Sequence, residues 1–121
     1  MKANITIMSG DGVGPEITRE AVKVLQAIES VFDHDFSLDE VLFGGIAIDE
    51  TGTPYPEETQ KSCKDSDAVL LGAVGGPKWS DPNMKIRPEK EGLLEMRADL
   101  GIYANIRPIK TYPELIDNSP I

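Results

Sequence analysis

The chain has 121 residues, of which 40% are hydrophobic and 27% are charged, a balance that excludes a largely disordered protein and is typical of a globular domain. The net charge of −9 argues against nucleic acid or an anionic membrane as a partner, because both require a basic face. Cys63 is the only cysteine, which excludes an internal disulfide. The N-terminus has neither a basic leader nor an apolar stretch long enough for export, so we expect a cytoplasmic protein.

The first predicted elements are a buried strand and a helix. Asn4 to Met8 is short, apolar and β-branched, as is typical of a parallel strand covered on both faces. A glycine turn then leads into a helix predicted from about Pro15 to Val31, because proline suits a first helical position. The turn departs from the Rossmann dinucleotide fingerprint, since its sixth position is Pro15 instead of glycine. Its glycines are interpreted either as a tight strand-to-helix turn or as a backbone contact to a cofactor.

Two further strands and two helices are predicted next. Phe36 to Phe43 alternates apolar and polar residues until the phase slips at Glu40, which favours a less buried strand near an edge. Helices are expected from about residue 44 to 51 and from 56 to 65. Ala68 to Leu71 is a short apolar run that we expect to be the central strand. The predicted fold class is therefore α/β, with a mostly parallel sheet flanked by helices.

A glycine-rich loop after the last of these strands is a candidate ligand site. It runs from Leu71 to Trp79 and leaves the carboxyl end of a strand, where open α/β sheets bind ligands. From Gly75 to Glu89 repeated glycines and prolines predict a long loop without a regular element. Trp79 is interpreted either as a ligand contact or as a residue that packs this loop.

A second candidate site is a helix predicted from about Glu91 to Leu100. Leu93, Leu94 and Arg97 lie three and four residues apart and so share one face. An arginine beside two leucines suits a small anion with a branched apolar group, because the guanidinium can grip a carboxylate through two bonds. Alternatively, Arg97 is an exposed surface arginine and the leucines belong to the core, for which Leu94 is the better candidate.

A strand-like alternation is predicted over residues 102–109. It contains Arg107, which offers a second grip on a carboxylate or, alternatively, is a strand arginine that reaches solvent. Past Lys110 the residues look like a connection without a terminal element. The sequence is therefore expected to break off inside a fold.

Together these motifs resemble the N-terminal part of the isocitrate/isopropylmalate β-decarboxylating dehydrogenases, and within that family the branch that acts on 3-isopropylmalate. The resemblance covers the whole chain, and its motifs stand in the family's order and spacing at residues 10–16, 43–49, 72–79, 87–89, 92–97 and 104–108. A relative acting on isocitrate would show a serine and an asparagine in the predicted helix, where this chain has Gly92-Leu-Leu-Glu-Met-Arg97. An apolar substituent fits this helix better. Lys90 and Glu91 are a departure, because some members are one residue shorter there.

The resemblance implies an NAD-dependent oxidative decarboxylation of 3-isopropylmalate to 2-oxoisocaproate in leucine biosynthesis, by a homodimer that uses Mg²⁺ or Mn²⁺. It implies that Arg97 and Arg107 bind carboxylates and that Leu93 and Leu94 line the pocket for the isopropyl group. It further implies that the nicotinamide end of NAD contacts one continuous loop, formed by Gly76, Pro77, Lys78, Trp79, Ser80, Asp81, Pro82, Asn83, Met84, Lys85, Ile86, Arg87, Pro88 and Glu89. The alternative for Glu89 is a solvated loop acid.

The resemblance also implies a division of the chain and a set of missing groups. Residues 1–101 would be the N-terminal part of a first, cofactor-binding domain, and residues 102–121 the truncated start of a second. The catalytic tyrosine and lysine and the metal-binding aspartates would lie outside the chain, so we expect the isolated chain to be inactive. Two alternatives remain open: a related dehydrogenase acting on tartrate or homoisocitrate, and a non-catalytic nucleotide-binding module.

Overall fold

The structure, a computed structural model, describes residues 1–81, 83–110 and 112–114. Its elements confirm the predicted α/β class. In chain order they are β1 (Lys2–Gly10), α1 (Gly14–Phe32), β2 (Asp35–Glu40), α2 (Gly45–Thr51), α3 (Glu57–Asp65), β3 (Ala68–Ala73), a 3-10 turn (Pro77–Trp79), a π-helical segment (Pro88–Leu94) and α4 (Glu95–Asp99).

The described sheet has three parallel strands in the order β2-β1-β3. Ile5 of β1 pairs with Leu38 on one side and with Ala68 on the other. The prediction that Ala68 to Leu71 forms the central strand is therefore wrong, because β1 occupies the middle and its residues 5–8 are all buried. Strand β2 lies at an edge of the described sheet and ends at Glu40, where the alternation slips.

Helix α1 covers one face of the sheet at very close range. A β-carbon at Gly14 would overlap the carbonyl oxygen of Ser9, and one at Gly72 would overlap both that oxygen and Oγ1 of Thr18. Gly10 adopts a φ of 73°, a conformation that favours glycine. The glycines of the first turn are thus explained by a tight strand-to-helix turn, which is one of their two interpretations.

The opposite face carries the hydrophobic core. Its buried members are Met8, Phe43, Tyr55, Cys63 and Met96. The rings of Phe43 and Tyr55 meet edge to face with centroids 5.7 Å apart, a geometry that aromatic pairs prefer. Burial raises the pKa of the Cys63 thiol, so Cys63 remains a protonated packing residue.

Three predictions for the last third of the chain need correction. The helix expected from Glu91 begins earlier, at Pro88, and winds as a π-helix before it continues as α4. The expected loop from Gly75 to Glu89 contains a 3-10 turn, because proline at its first position fixes a helical φ. Residues 102–110 lie outside helices and strands and are exposed, since no described strand lies beside them to supply ladder bonds.

The chain beyond Lys110 is described only at residues 112–114, so the connection predicted for residues 115–121 lies outside the described part. The division into two domains stays a prediction. Within the described ranges, no helix is long and apolar enough to cross a bilayer.

Candidate functional site

Three loops meet at the carboxyl edge of the sheet. They follow β1, precede α2 and follow β3, and each has glycine where its backbone approaches another loop, at Gly12, Gly44 and Gly75. Parallel strands end at the same edge, and in open α/β folds this crevice binds ligands. The candidate site is therefore built mainly from backbone, with a few side chains placed around it.

Asp11 holds these loops together. Its side chain is 3% exposed, and its carboxylate accepts hydrogen bonds from the backbone N–H groups of Gly45 at 2.7 Å, Ile46 at 2.8 Å and Gly75 at 2.8 Å. Its own N–H donates to the carbonyl of Ala73 at 2.7 Å. Sequence reasoning missed this residue, because its partners lie 34 to 64 positions away.

Trp79 attaches the glycine loop to the start of α2. Its ring lies directly on Gly45, where a β-carbon would overlap Cδ2 of the indole. The neighbouring Lys78 pairs with Asp49 of α2 and lies 5.3 Å from the centre of the Trp79 ring. Trp79 thus packs the loop, as one of its two interpretations predicts. Its Nε1 is buried and has no hydrogen-bond partner among the described residues.

Glu89 reaches back to the same loop from the first turn of the π-helical segment. A β-carbon at Gly75 would overlap Oε1 of Glu89, so the carboxylate lies against the Gly75 backbone while the residue as a whole is exposed. The two ends of the predicted cofactor segment are therefore neighbours in space. Within the segment, Asp81 accepts the N–H of Asn83 at 2.8 Å, and Pro82 lies outside the described residues.

The predicted substrate-binding leucines separate into one inner and one outer residue. Leu93 packs partly buried against the core cluster, whereas Leu94 is 55% exposed. The prediction of Leu94 as the better core residue is wrong, because the i→i+5 winding of a π-helix shifts side chains around the axis relative to an α-helix. Arg97 follows Leu94 by three residues on helical backbone and is also exposed.

Arg107 contacts a neighbour in its own segment and makes no described contact with Leu93, Leu94 or Arg97. It lies in the exposed segment 102–110, and its Nε donates to Asn105 at 3.3 Å. No hydrogen bond or ion pair among the described residues links it to Arg97. A carboxylate site shared by both arginines stays a prediction.

The site offers a hydrogen-bond acceptor of the kind that a nucleotide ligand needs. The carboxylate of Glu89, an exposed residue whose side chain lies against the Gly75 backbone, can accept hydrogen bonds from ribose hydroxyls. The Glu89 carboxylate therefore fits the hydroxyls of a nucleotide's ribose. A group of three or more histidine, cysteine or acidic residues able to hold a metal does not occur in the described part of the chain.

The fold agrees with the class that comparison with known proteins defines. The chain belongs to the isocitrate/isopropylmalate dehydrogenase family, whose sequence model matches residues 4–121. Among individual proteins, it is 51% identical to the 3-isopropylmalate dehydrogenase of Anaeromyxobacter dehalogenans, over 100% of this chain and 34% of that protein. It is 54% identical to the enzyme of the same name from Bacillus caldotenax, over 97% of this chain and 32% of that protein.

The similarity extends to further relatives and to solved structures. The chain is 49% identical to the 3-isopropylmalate dehydrogenase of Bacillus subtilis, over 100% of this chain and 33% of that protein. It matches the crystal structure of an apo β-decarboxylating dehydrogenase from Thermococcus kodakarensis with a TM-score of 0.65 and 31% identity, over 83% of this chain and 27% of that one. The chain thus spans about a third of the length of the curated relatives it matches.

Proposed function

We propose that this chain is the part of an NAD-dependent 3-isopropylmalate dehydrogenase that recognises the substrate's apolar group and one end of NAD. The whole enzyme would act in the cytoplasm as a homodimer and convert 3-isopropylmalate to 2-oxoisocaproate and carbon dioxide, in leucine biosynthesis. Family membership and relatives of that name support the class. The observation that carries the choice of substrate is the exposed pair of Leu94 and Arg97 on one helical turn.

This pair matches both parts of the substrate. The guanidinium of Arg97 can hold a carboxylate through two parallel hydrogen bonds. Leu94 presents an aliphatic side chain beside it. The neighbouring Leu93 is partly buried and packs against the core cluster. Burying the isopropyl group against leucine is favourable by about 25 cal/mol per Å² of apolar surface. Arg107 would contribute a second carboxylate contact.

The cofactor would lie on the loop from Gly76 to Glu89. Glu89 would accept from the ribose next to the nicotinamide and so orient the ring, and the contact of its carboxylate with the Gly75 backbone would hold it in place for this role. NAD, when bound, takes the hydride from the substrate, and Mg²⁺ or Mn²⁺ held by residues outside this chain would neutralise carboxylate charge. The role of this chain is to bind and orient both reactants.

A chimera tests the proposal. This chain would replace the aligned 33% of the Bacillus subtilis relative, and the chimera would be assayed with 3-isopropylmalate, isocitrate, tartrate and homoisocitrate. We expect the highest kcat/KM with 3-isopropylmalate, because Leu94 offers no polar partner for a third carboxylate or a hydroxyl. A preference for any of the other three substrates would contradict the proposal.

A further inference from the structure

We propose that Asp11 is a positioning residue. It fixes Gly75, which directly precedes the proposed cofactor segment 76–89, against the start of α2, so that a change at Asp11 weakens the binding of NAD. Asp11 does not contact NAD itself and acts through the backbone of Gly75 and Gly45. The inference rests on the proposed function for its effect on NAD. The contact that underlies it is a property of the fold and can be tested without any activity.

The two oxygens of the Asp11 carboxylate divide three hydrogen bonds between them. Oδ2 accepts from both Gly45 and Gly75, and Oδ1 accepts from Ile46. One oxygen atom thus bridges the start of α2 and the loop after β3. A carboxylate satisfies this arrangement because it only accepts, and a charged acceptor strengthens each bond relative to a neutral one.

The backbone around the Asp11 carboxylate leaves no space for a further side chain. A β-carbon at Gly44 would lie 2.6 Å from Oδ2 of Asp11, and Gly44 has a φ of 84°, which strains other residues. The backbone therefore closes directly around the carboxylate. Such a buried acceptor has no room to move to a substitute partner, and the N–H groups it serves would be left unsatisfied without it.

Asp11 is also connected to the proposed cofactor segment, residues 76–89. Gly75 donates its N–H to Asp11, and the Glu89 carboxylate lies against the Gly75 backbone. Trp79, four residues later, lies on Gly45, whose N–H also donates to Asp11. The two ends of the segment thus depend on backbone that Asp11 holds, and preorganised contacts of this kind determine how well a ligand binds.

The decisive variant is Asp11→Asn, which keeps the shape of the side chain. In asparagine, an NH₂ group replaces one of the two carboxylate oxygens. This group is a donor, so it cannot accept the backbone N–H that points at that position. We expect the remaining oxygen to stay at the bridging position, where two donors point, so that the bond to Ile46 is lost. Asp11→Ala would lose all three bonds. The matched control is Asp67→Asn, since Asp67 accepts the N–H of Asn4 at 2.9 Å at the opposite end of the sheet.

Amide hydrogen exchange of the folded Bacillus subtilis chimera, followed by NMR at the amides of Gly45, Ile46 and Gly75, tests the contact. In Asp11→Asn we expect exchange at Ile46 to accelerate about tenfold or more, with smaller changes at Gly45 and Gly75. In Asp11→Ala all three amides should accelerate. The control Asp67→Asn should affect Asn4 and leave the three amides unchanged. Unchanged exchange at all three amides in both Asp11 variants would overturn the proposal.

Kinetics of the Bacillus subtilis chimera test the consequence. We expect Asp11→Asn to raise KM for NAD about tenfold and to change KM for 3-isopropylmalate less. A role limited to stabilising the fold would lower the melting temperature and leave both KM values of the folded enzyme unchanged, and that result would overturn the proposal. Inactivity of the wild-type chimera would count against the proposed function, and the exchange result would then decide the role of Asp11.

Discussion

At the scale of single residues, Tyr55 connects the buried core to an ion pair at the surface. Its side chain is 2% exposed, and its hydroxyl donates to Asp99 at 3.2 Å. Asp99 in turn pairs with Lys64 at 2.7 Å, and this hydrogen bond lowers the pKa of the Asp99 carboxyl. Burial, with Cys63 and Asp99 nearby, raises the pKa of Tyr55. The phenol is thus held in its neutral form by the fold.

This arrangement predicts a loss of stability at alkaline pH. The folded protein binds the protons of Tyr55 and Cys63 more tightly than the unfolded chain, in which the two pKa values lie near the ordinary 10.0 and 9.0. The resulting contribution to the free energy of unfolding is complete below those pKa values. It is lost as pH rises through and above them. Urea unfolding between about pH 7 and 11 measures this loss. The free energy of unfolding of Tyr55→Phe should fall less steeply with rising pH than that of the wild type. A decline equal to that of the exposed control Tyr103→Phe would contradict the prediction.

Arg97 supports a prediction about recognition. Arg97→Lys in the chimera keeps the charge and removes the planar two-point grip. We expect kcat/KM for 3-isopropylmalate to fall about ten- to a hundredfold, the equivalent of roughly 1.5 to 3 kcal/mol. Arg19→Lys is the matched control, because Arg19 is an exposed arginine of α1. Equal kinetics of the two variants would return Arg97 to the surface-arginine interpretation.

Residue-scale prediction from sequence succeeded for local patterns and failed for contacts distant along the chain. The spacing of Leu93, Leu94 and Arg97 predicted one shared face, but an α-helical period could not reveal the π-helical winding that turns Leu93 toward the core and leaves Leu94 exposed. Asp11 reads in sequence as a turn former. Its role depends on Gly45 and Gly75, which no local pattern brings to its side.

At the scale of elements, the loop after β3 is held to α2 by one aromatic ring. Trp79 is the only tryptophan of the chain, and its ring occupies the space that a side chain at Gly45 would need. A β-carbon at Gly76, by comparison, would lie 3.4 Å from the ring, at ordinary contact distance. The two glycines therefore differ sharply in what they tolerate.

This difference gives a fluorescence test of the loop. We expect Gly45→Ala to displace the indole from its seat and to shift the emission maximum of Trp79 to longer wavelength, because the ring becomes hydrated. Gly76→Ala adds the same methyl group where the structure has room for it, and Gly76 has a φ of 172° that alanine also adopts. Its spectrum should match the wild type. A matching spectrum for Gly45→Ala would place the indole elsewhere.

Elements with strong local signals were predicted well. Helix α1 runs from Gly14 to Phe32, within one residue of the prediction at each end, and the proline that predicted its start lies in its first turn. The position of β3 in the sheet was not predictable in the same way. Both β1 and β3 are apolar, and their order depends on crossover connections and on contacts across the sheet.

At the scale of the whole molecule, the described structure leaves much apolar surface uncovered. On α1, Val31 and Phe32 are 71% and 64% exposed, and in the extended segment Ile106 and Ile109 are 84% and 94% exposed. Surfaces of this kind are usually covered in a stable protein and promote association when open. In the proposed enzyme, the remainder of the relatives' length would supply that cover.

We therefore expect the isolated chain to self-associate and to produce no NADH from 3-isopropylmalate with Mg²⁺ or Mn²⁺. Sedimentation velocity measures the first property and absorbance of NADH the second. The chimera, which restores the other two thirds of a relative, should sediment as one defined species and turn over. A stable monomeric chain with turnover of its own would contradict both expectations.

In the proposed enzyme, the exposed surface formed by Leu94 and Arg97 selects the branched apolar group of the substrate. The most direct test compares 3-isopropylmalate with malate, which lacks the isopropyl group, in the chimera carrying Leu94→Ala. The control is Val24→Ala on α1, because Val24 is 58% exposed and Leu94 is 55% exposed. We predict that Leu94→Ala lowers kcat/KM for 3-isopropylmalate about ten- to a hundredfold and leaves kcat/KM for malate and both values of the control nearly unchanged. An equal loss with both substrates, or no loss with either, would contradict the account.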